Sequence, residues 1–430
     1  MIHNFYLILG LNCPNVHRSR YLPQYKRAFE VAKPYGVMCS YNAENGHPSC
    51  ANGALLNGQL RSWAPDAIVS TDCGAINNLL GEPVNAPDTV HAVAWALMNG
   101  TDIEGGGVEW KNISLAIDQG LATEARLDEA VRRSFKPHFD LGRFDPPNAS
   151  EWHAFGIESL NSAEHQSISY EAALQSLVLL RNDGKALPLK IGSNVAVVGP
   201  QSTARSGLLS DYAGGQWCYG PSNKHPWSAQ EYCIASISEG IATANTGGAT
   251  HVAAGVSTCT HQPTQKCKQH VSDWNSSTAA GDIASALQIA KAADTIVLVL
   301  GIDKSIEHEG HDRTDTALPA LQETFAHQIL ALGKPTVLVL TNGGALAIDS
   351  LANPHAGQAG APPYAIIEAF NPAAYGGQAI GDSLFGKANR WGKLPITMYP
   401  HDYIKQQALT NYDMSVAPVR IEDLPLCFDF

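Results

Sequence analysis

Acidic side chains appear twice in this sequence where a strand should end. The stretch "AIVSTDCGAI", residues 67–76, is a run of small and β-branched residues that stops on Asp72 and Cys73. A carboxylate inside a buried strand is costly, whereas at the carboxyl end of a parallel strand it sits where a β/α barrel exposes its reacting groups. The alternative is an N-cap for the following helix. The second stretch, "GIDKSIEHEGHDR", residues 301–313, follows an apolar run and crowds Asp303, Glu307, Glu309 and Asp312 into one loop. These acids repel unless His308, His311 and Arg313 offset them or one carboxyl keeps its proton, and a carboxyl that keeps its proton is a general acid. A solvated polar loop is the alternative here. One carboxylate to attack or stabilise a sugar cation, and one to protonate the leaving oxygen, are what hydrolysis of a glycosidic bond requires. On separate domains the two would work at the interface.

Other chemistries are poorly served. His308 and His311 form HExH and not the HExxH of a zinc-protease helix, no CxxC or other zinc spacing occurs, and no metal is expected. GxGxxG and GxxxxGK[ST] are both missing, and "TNGGALAID" has no lysine to hold phosphate, so no nucleotide cofactor is expected. Lys and Arg total 28 against 40 Asp and Glu, a net charge of -12 without a long basic run, which argues against nucleic acid. No segment approaches the roughly 20 apolar residues of a membrane span.

The elements that must carry these residues alternate. A chain of 430 residues with 44% hydrophobic and 16% charged residues favours two globular domains. "YLPQYKRAFEVAK" reads as a helix, "GVMCSYN" as a strand, "GALLNGQLRSW" as a helix, "AIVSTD" as a strand, "TVHAVAWALMNG" as a helix, "TDI" as a third strand and "EARLDEAVRRSFKPHF" as a closing helix. Prolines and turn formers interrupt the pattern and predict a linker over 146–162. A second α/β region, 163–400, begins with one helix over "AEHQSISYEAALQSLVLLRN". It continues with the strands "NVAVVGP", "TIVLVLGID", "PTVLVLTN" and "YAIIEAF", with helices around "AGDIASALQIAKAA", "LPALQETFAHQILALG" and "YGGQAIGDSLFG". Long loops are expected between 201 and 278, and the tail 401–430 has no clear period. Ligand groups are expected beyond the carboxyl ends of the strands.

Among nine cysteines, the pairs Cys218 with Cys233 and Cys259 with Cys267 lie in loop-like sequence and could form local disulfides or stay free. Sequons stand at Asn112, Asn148 and Asn275. The early run "FYLILGL" has the length of a signal core but lacks a basic flank and a clear cleavage site, so it reads as structure or as an artefact of the chain's start.

With these stretches in view, the chain resembles glycoside hydrolase family 3, and within it the β-xylosidase branch. "GVMCSYNAENGHPSCAN", "IVSTDCGAI", "NGTDIE", "LVLLRNDGKALPL", "VLVLGIDKSIEHEGHDRT", "LPALQ", "GGQAIGDSLFG" and "GKLPITMYP" keep the family's order. The resemblance implies an α/β fold, the C-terminal part of a (β/α)8 barrel over 1–145 followed by an α/β sandwich domain. It implies a retaining mechanism with Asp72 as nucleophile and Glu307 as acid/base, Glu309 being the fallback, and a pair of Asp312 with Arg313 that positions the loop. Met38, Tyr41 and Cys73 match residues lining the first sugar subsite, with core packing the alternative for Met38. It further implies an oligosaccharide partner, no cofactor and an extracellular location.

Relative to the family, the sequence is expected to begin near the sixth barrel strand and to stop before a fibronectin-like domain. The expected activity is release of xylose from xylo-oligosaccharide ends. A β-glucosidase or α-L-arabinofuranosidase of the same family, or an inactive carbohydrate-binding chain, are the alternatives.

Overall fold

The computed structural model describes residues 22–44, 46–107, 109–156, 159, 162–210, 234–258, 283–311, 313, 315–357 and 359–406. The chain divides into two compact units, with the division between Phe155 and Gly156.

In the first unit α1 (Leu22–Val31) leads into β1 (Gly36–Cys39), which pairs in parallel with β2 (Ile68–Thr71), Met38 opposite Ser70 and Cys39 opposite Thr71. Val69 and Thr71 of β2 are buried and their neighbours half-buried, the alternation of a strand with one covered face. Helix α2 (Thr89–Met98) starts where Asp88 accepts the His91 N–H at 2.9 Å. Its small residues Ala92, Ala94 and Ala96, with Val93 and Leu97, are fully buried. Helix α3 (Glu124–Asp140) is capped by Thr123.

A carboxylate organises this unit. Asp102, its side chain fully buried, receives Arg61 Nη2 at 2.8 Å, Arg126 Nη2 at 2.9 Å and Arg133 Nη1 at 3.2 Å, together with the Val69 N–H at 3.0 Å. It therefore ties β2 to α3 through charge-assisted bonds. Burial pulls the Arg61 guanidinium below its usual value, with Asp102 opposing that shift. A disulfide between Cys39 and Cys50 closes the end of β1, and Thr101 Oγ1 donates to the Cys50 carbonyl at 2.8 Å.

The second unit is built on six strands: β3 (Val178–Asp183), β4 (Asn194–Val198), β5 (Ala249–Ala253), β6 (Thr295–Gly301), β7 (Thr336–Thr341) and β8 (Tyr364–Glu368). Their spatial order is β3-β8-β7-β6-β4-β5, parallel throughout except that β3 runs antiparallel to β8. Both faces are covered. Leu298, Leu300, Leu338, Leu340 and Ile366 face α6 (Ile283–Ala292) and α7 (Ala320–Leu330), while Val297, Val299, Val337, Val339 and Ile367 face α4 (Ala163–Ser176), α5 (Ile237–Ala244) and α8 (Gly376–Leu384). Strands buried on both sides lose their alternation, so they read as continuous apolar runs.

Several expectations need correction. "TDI" contributes only an isolated bridge, Ile103 with Ser70, and no strand. The predicted helix over 163–182 is α4 followed by β3, because Leu177 turns extended after Ser176. "GALLNGQLRSW" is a π-helical segment, Ala54–Leu60, running into one α-turn, Arg61–Trp63. The expected loops of 201–278 contain α5, opened by a Ser236–Glu239 capping box, and the short strand β5. The cysteine pairs 218/233 and 259/267, the sequon at Asn275, "FYLILGL" and the tail beyond residue 406 lie outside the described residues, whereas the Cys39–Cys50 bridge had no cue in the cysteine spacings considered. No helix among the described residues is long and apolar enough to cross a membrane.

Candidate active-site residues

Asp72 sits one residue past the carboxyl end of β2. Its N–H donates to the Cys39 carbonyl at 3.0 Å, which carries the ladder one step beyond the strand. Its Oδ1 accepts the Cys73 N–H at 2.7 Å, and its side chain is half-buried. It does not cap the helical turn that follows, Ala75–Leu80, where Gly74 holds the cap position. The strand therefore delivers a carboxylate to its own tip and commits it to no helix.

The predicted subsite residues gather at this tip. The Tyr41 hydroxyl donates to the Cys73 carbonyl at 2.8 Å, joining the end of β1 to the residue after Asp72. Cys73 is an exposed free thiol. Met38 is 61% exposed.

A loop unforeseen from the sequence lies against the same tip. The Gly105 N–H donates to Thr71 Oγ1 at 2.9 Å, and a Cβ on Gly105 would stand 2.4 Å from the Thr71 carbonyl oxygen, so only glycine allows this approach. Just before it, Glu104 Oε2 accepts the Trp110 N–H at 2.8 Å and its carboxyl meets that of Glu109, which is 6% exposed. Burial, and then the hydrogen bond with Glu109, push Glu104 up to about 6. "NGTDIE" carries the first of these acids, but nothing in the local sequence paired it with Glu109.

In the second unit the chain leaves β6 at Gly301, whose φ of +151° suits glycine and whose Cβ would meet the Thr341 carbonyl at 1.9 Å. The buried Gln322 of α7 clamps this point: Gly301 N–H donates to its Oε1 at 2.9 Å, and its Nε2 donates to the carbonyls of Gly301 and Thr258 at 2.7 and 2.8 Å. Glu307 follows. Its Oε2 lies 2.7 Å from Arg313 Nε and its Oε1 accepts the Gly344 N–H at 2.6 Å, from the turn after β7.

The acids of this loop are thus separated by partners. Asp303 Oδ1 accepts from the N–H and hydroxyl of Ser305, and its Oδ2 accepts from Gln201 at 3.3 Å. Glu309 is exposed on the turn bridged by His308 and His311, whose rings stack 5.2 Å apart. Arg313 engages Glu307 itself, and Asp312, expected to act with it, lies outside the described residues. Among the described residues no group of three His, Cys, Asp or Glu side chains could hold a metal ion.

A carboxyl stands beyond a strand tip in each unit, and the second unit is a six-stranded, mostly parallel sheet covered on both faces, an α/β architecture. Residues 177–429 match the glycosyl hydrolase family 3 C-terminal domain, and the chain belongs to that family. It is 34% identical over 403 residues to a probable exo-1,4-β-xylosidase of Neosartorya fischeri, covering 93% of this chain and 47% of that protein. It is 29% identical to β-D-xylosidase 3 of Arabidopsis thaliana, covering 91% and 46%. A solved family 3 exo-β-xylosidase in complex with a xylobiose aziridine activity-based probe matches with a TM-score of 0.74 and 30% identity over 91% of this chain and 46% of that one. A β-glucosidase from Erythrobacter marinus matches with a TM-score of 0.69 and 29% identity over 88% and 49%. The chain spans about half the length of the curated relatives it matches.

Proposed function

We propose that this chain carries the catalytic carboxyls of a retaining exo-β-xylosidase. The observation that supports the reading best is the pair of acids at carboxyl ends of parallel strands, Asp72 after β2 and Glu307 after β6, in a chain that resembles exo-1,4-β-xylosidases over 93% of its residues. Asp72 attacks the anomeric carbon as Glu307 gives its proton to the departing oxygen, and a covalent glycosyl ester forms. Glu307, now a carboxylate, takes a proton from water, which attacks the same carbon and frees Asp72. Arg313 Nε and the Gly344 N–H fix the position of the Glu307 carboxyl from two sides. Met38, Tyr41 and Cys73 border the first sugar. Residues 1–145 are read as part of a β/α barrel, 146–162 as linker, 163–400 as the sandwich domain and 401–430 as a tail. The Cys39–Cys50 bridge favours an extracellular, oxidising setting.

A β-glucosidase is the second reading, favoured by the Erythrobacter marinus match. Incubation of the whole chain with a xylobiose-configured aziridine probe, followed by intact and peptide mass analysis, tests the assignment. An adduct on the peptide holding Asp72, lost in Asp72→Ala, is the expected result. Turnover of aryl β-glucoside but not aryl β-xyloside would replace the substrate, and no adduct with no turnover of either would sink the proposal.

A further inference from the structure

β8 ends on an acid that the reaction above does not use. Glu368 closes the apolar run "YAIIE" and is 1% exposed, opposite Leu340 on β7 and Val178 on β3. Its Oε1 accepts the Phe370 N–H at 3.0 Å, whereas its Oε2 is buried without a partner. Beside it lies Asn342, also fully buried, whose Oδ1 is a second buried acceptor without a partner and whose Nδ2 donates to the Gly344 carbonyl at 3.0 Å. Each orphaned buried acceptor is costly, and a proton on Glu368 Oε2 directed at Asn342 Oδ1 would satisfy both.

We propose that Glu368 is a neutral carboxylic acid whose Oε2–H donates to Asn342 Oδ1, and that it is thereby a positioning residue for Glu307; its catalytic meaning rests on the acid/base role proposed above. The connection is continuous. Asn342 N–H donates to the Phe370 carbonyl at 3.3 Å, Asn342 Nδ2 holds the Gly344 carbonyl, and the Gly344 N–H holds Glu307. The tip of β8, the turn after β7 and the loop after β6 are therefore one hydrogen-bonded unit. An ionised Glu368 cannot donate. The Asn342 amide would turn its NH2 towards the charge and release Gly344.

The surroundings favour the neutral form. Among nearby charged side chains, Glu307 and Arg313 pair with each other, and Arg181 and Asp183 on β3 pair with each other. The Tyr364 hydroxyl, on the same strand, donates to the Leu351 carbonyl. Burial accordingly pushes Glu368 up to about 8, with Phe370 N–H and the Asn342 side chain opposing. The folded-state value lies above the ordinary carboxyl value of 4.5, so this group's contribution to stability is lost as pH rises from 4.5 to about 8.

Amide hydrogen exchange over residues 342–345 of the full chain, with infrared spectra of the same samples, tests this without substrate. Glu368→Gln, whose amide can donate to Asn342 Oδ1, keeps the wild-type protection. Glu368→Leu, which cannot, exchanges about tenfold faster at Gly344 after correction for intrinsic rates, as expected for an orphaned buried acceptor. In the wild type this protection collapses as pH passes 8 and in Glu368→Gln it persists, and a protonated-carboxyl band present at neutral pH disappears in Glu368→Gln. No such band, or equal protection in the Gln and Leu variants, overturns the proposal. If Glu368→Leu fails to fold, the band and the pH comparison of wild type with Glu368→Gln decide alone. Glu307→Leu, which has no acceptor for the Gly344 N–H, calibrates the signal for loss of that single bond. Because no glycoside enters the experiment, failure of the xylosidase reading and failure of this one are separate results.

Discussion

The first unit centres on charge and the second on hydrocarbon. Asp102 with Arg61, Arg126 and Arg133 joins β2 to α3, whereas the sheet of the second unit is held by Leu298, Leu340 and Ile366 on one face and Val299, Val339 and Ile367 on the other. Each arrangement presents a carboxyl beyond a strand tip, but by different means. Asp72 is held by one N–H from its neighbour, and Glu307 by an arginine and a glycine N–H from two other segments. A narrow sheet gains direction from a few strong polar bonds, and a wide one gains it from many weak contacts. Damage should therefore be abrupt in the first unit and graded in the second.

Asp102→Ala presses hardest on this contrast, since it leaves Arg61 and Arg126 buried without their counter-charge and Arg133 with Glu129 alone. A loss of about 3–5 kcal/mol is expected. Hydrogen exchange should rise across peptides of residues 22–155 and leave the β6 and β7 peptides unchanged. Leu340→Ala is the matching injury to the second unit, where a cavity should cost about 3 kcal/mol. Calorimetry should show it as a lowered transition that the residues 22–155 peptides do not follow. If both substitutions loosen both units equally, the contrast fails.

Removal of the Cys39–Cys50 bridge by double serine substitution comes next, at about 2–3 kcal/mol for a short loop, read as a denaturation midpoint confined to the first unit. The smallest effect is expected from Glu104→Gln. Glu104 is raised when folded, so its contribution is present below 4.5 and lost as pH rises to about 6. The substitution should flatten the thermal midpoint of the first unit across that interval and leave the second unit's profile as it was.

The same contrast governs what the sequence reveals. "TIVLVLG", "TVLVLT" and "YAIIE" are legible as strands because both faces are covered and their central positions are continuously apolar. β5, "ATHVA", is largely exposed and has its two polar residues, Thr250 and His251, side by side without alternation, so it vanishes among loops. β3 hides because "LVLL" continues the apolar pattern of α4 without a Gly or Pro to mark the turn at Leu177. Asp72 and Glu307 stand out since acids after apolar runs contradict their neighbourhood. Glu368 does not, for it lies inside such a run and its partner Asn342 belongs to a turn dismissed for lacking a lysine. The Asp102 cluster and the Glu104–Glu109 pair escape for another reason: each depends on residues brought together only by folding, with no fixed spacing to betray them.

One detail of the sheet has a bearing on how the protein is made. Among the described strands of this sheet β3 emerges first, yet the one it pairs with is β8, the last of them to be synthesised. Until the ribosome has released that final strand, "VLLRND" offers an open edge to any passing chain. Translation pauses or nonsense codons ahead of residue 364 should leave a nascent product that needs chaperone cover, even though every parallel strand before it has already found its mate.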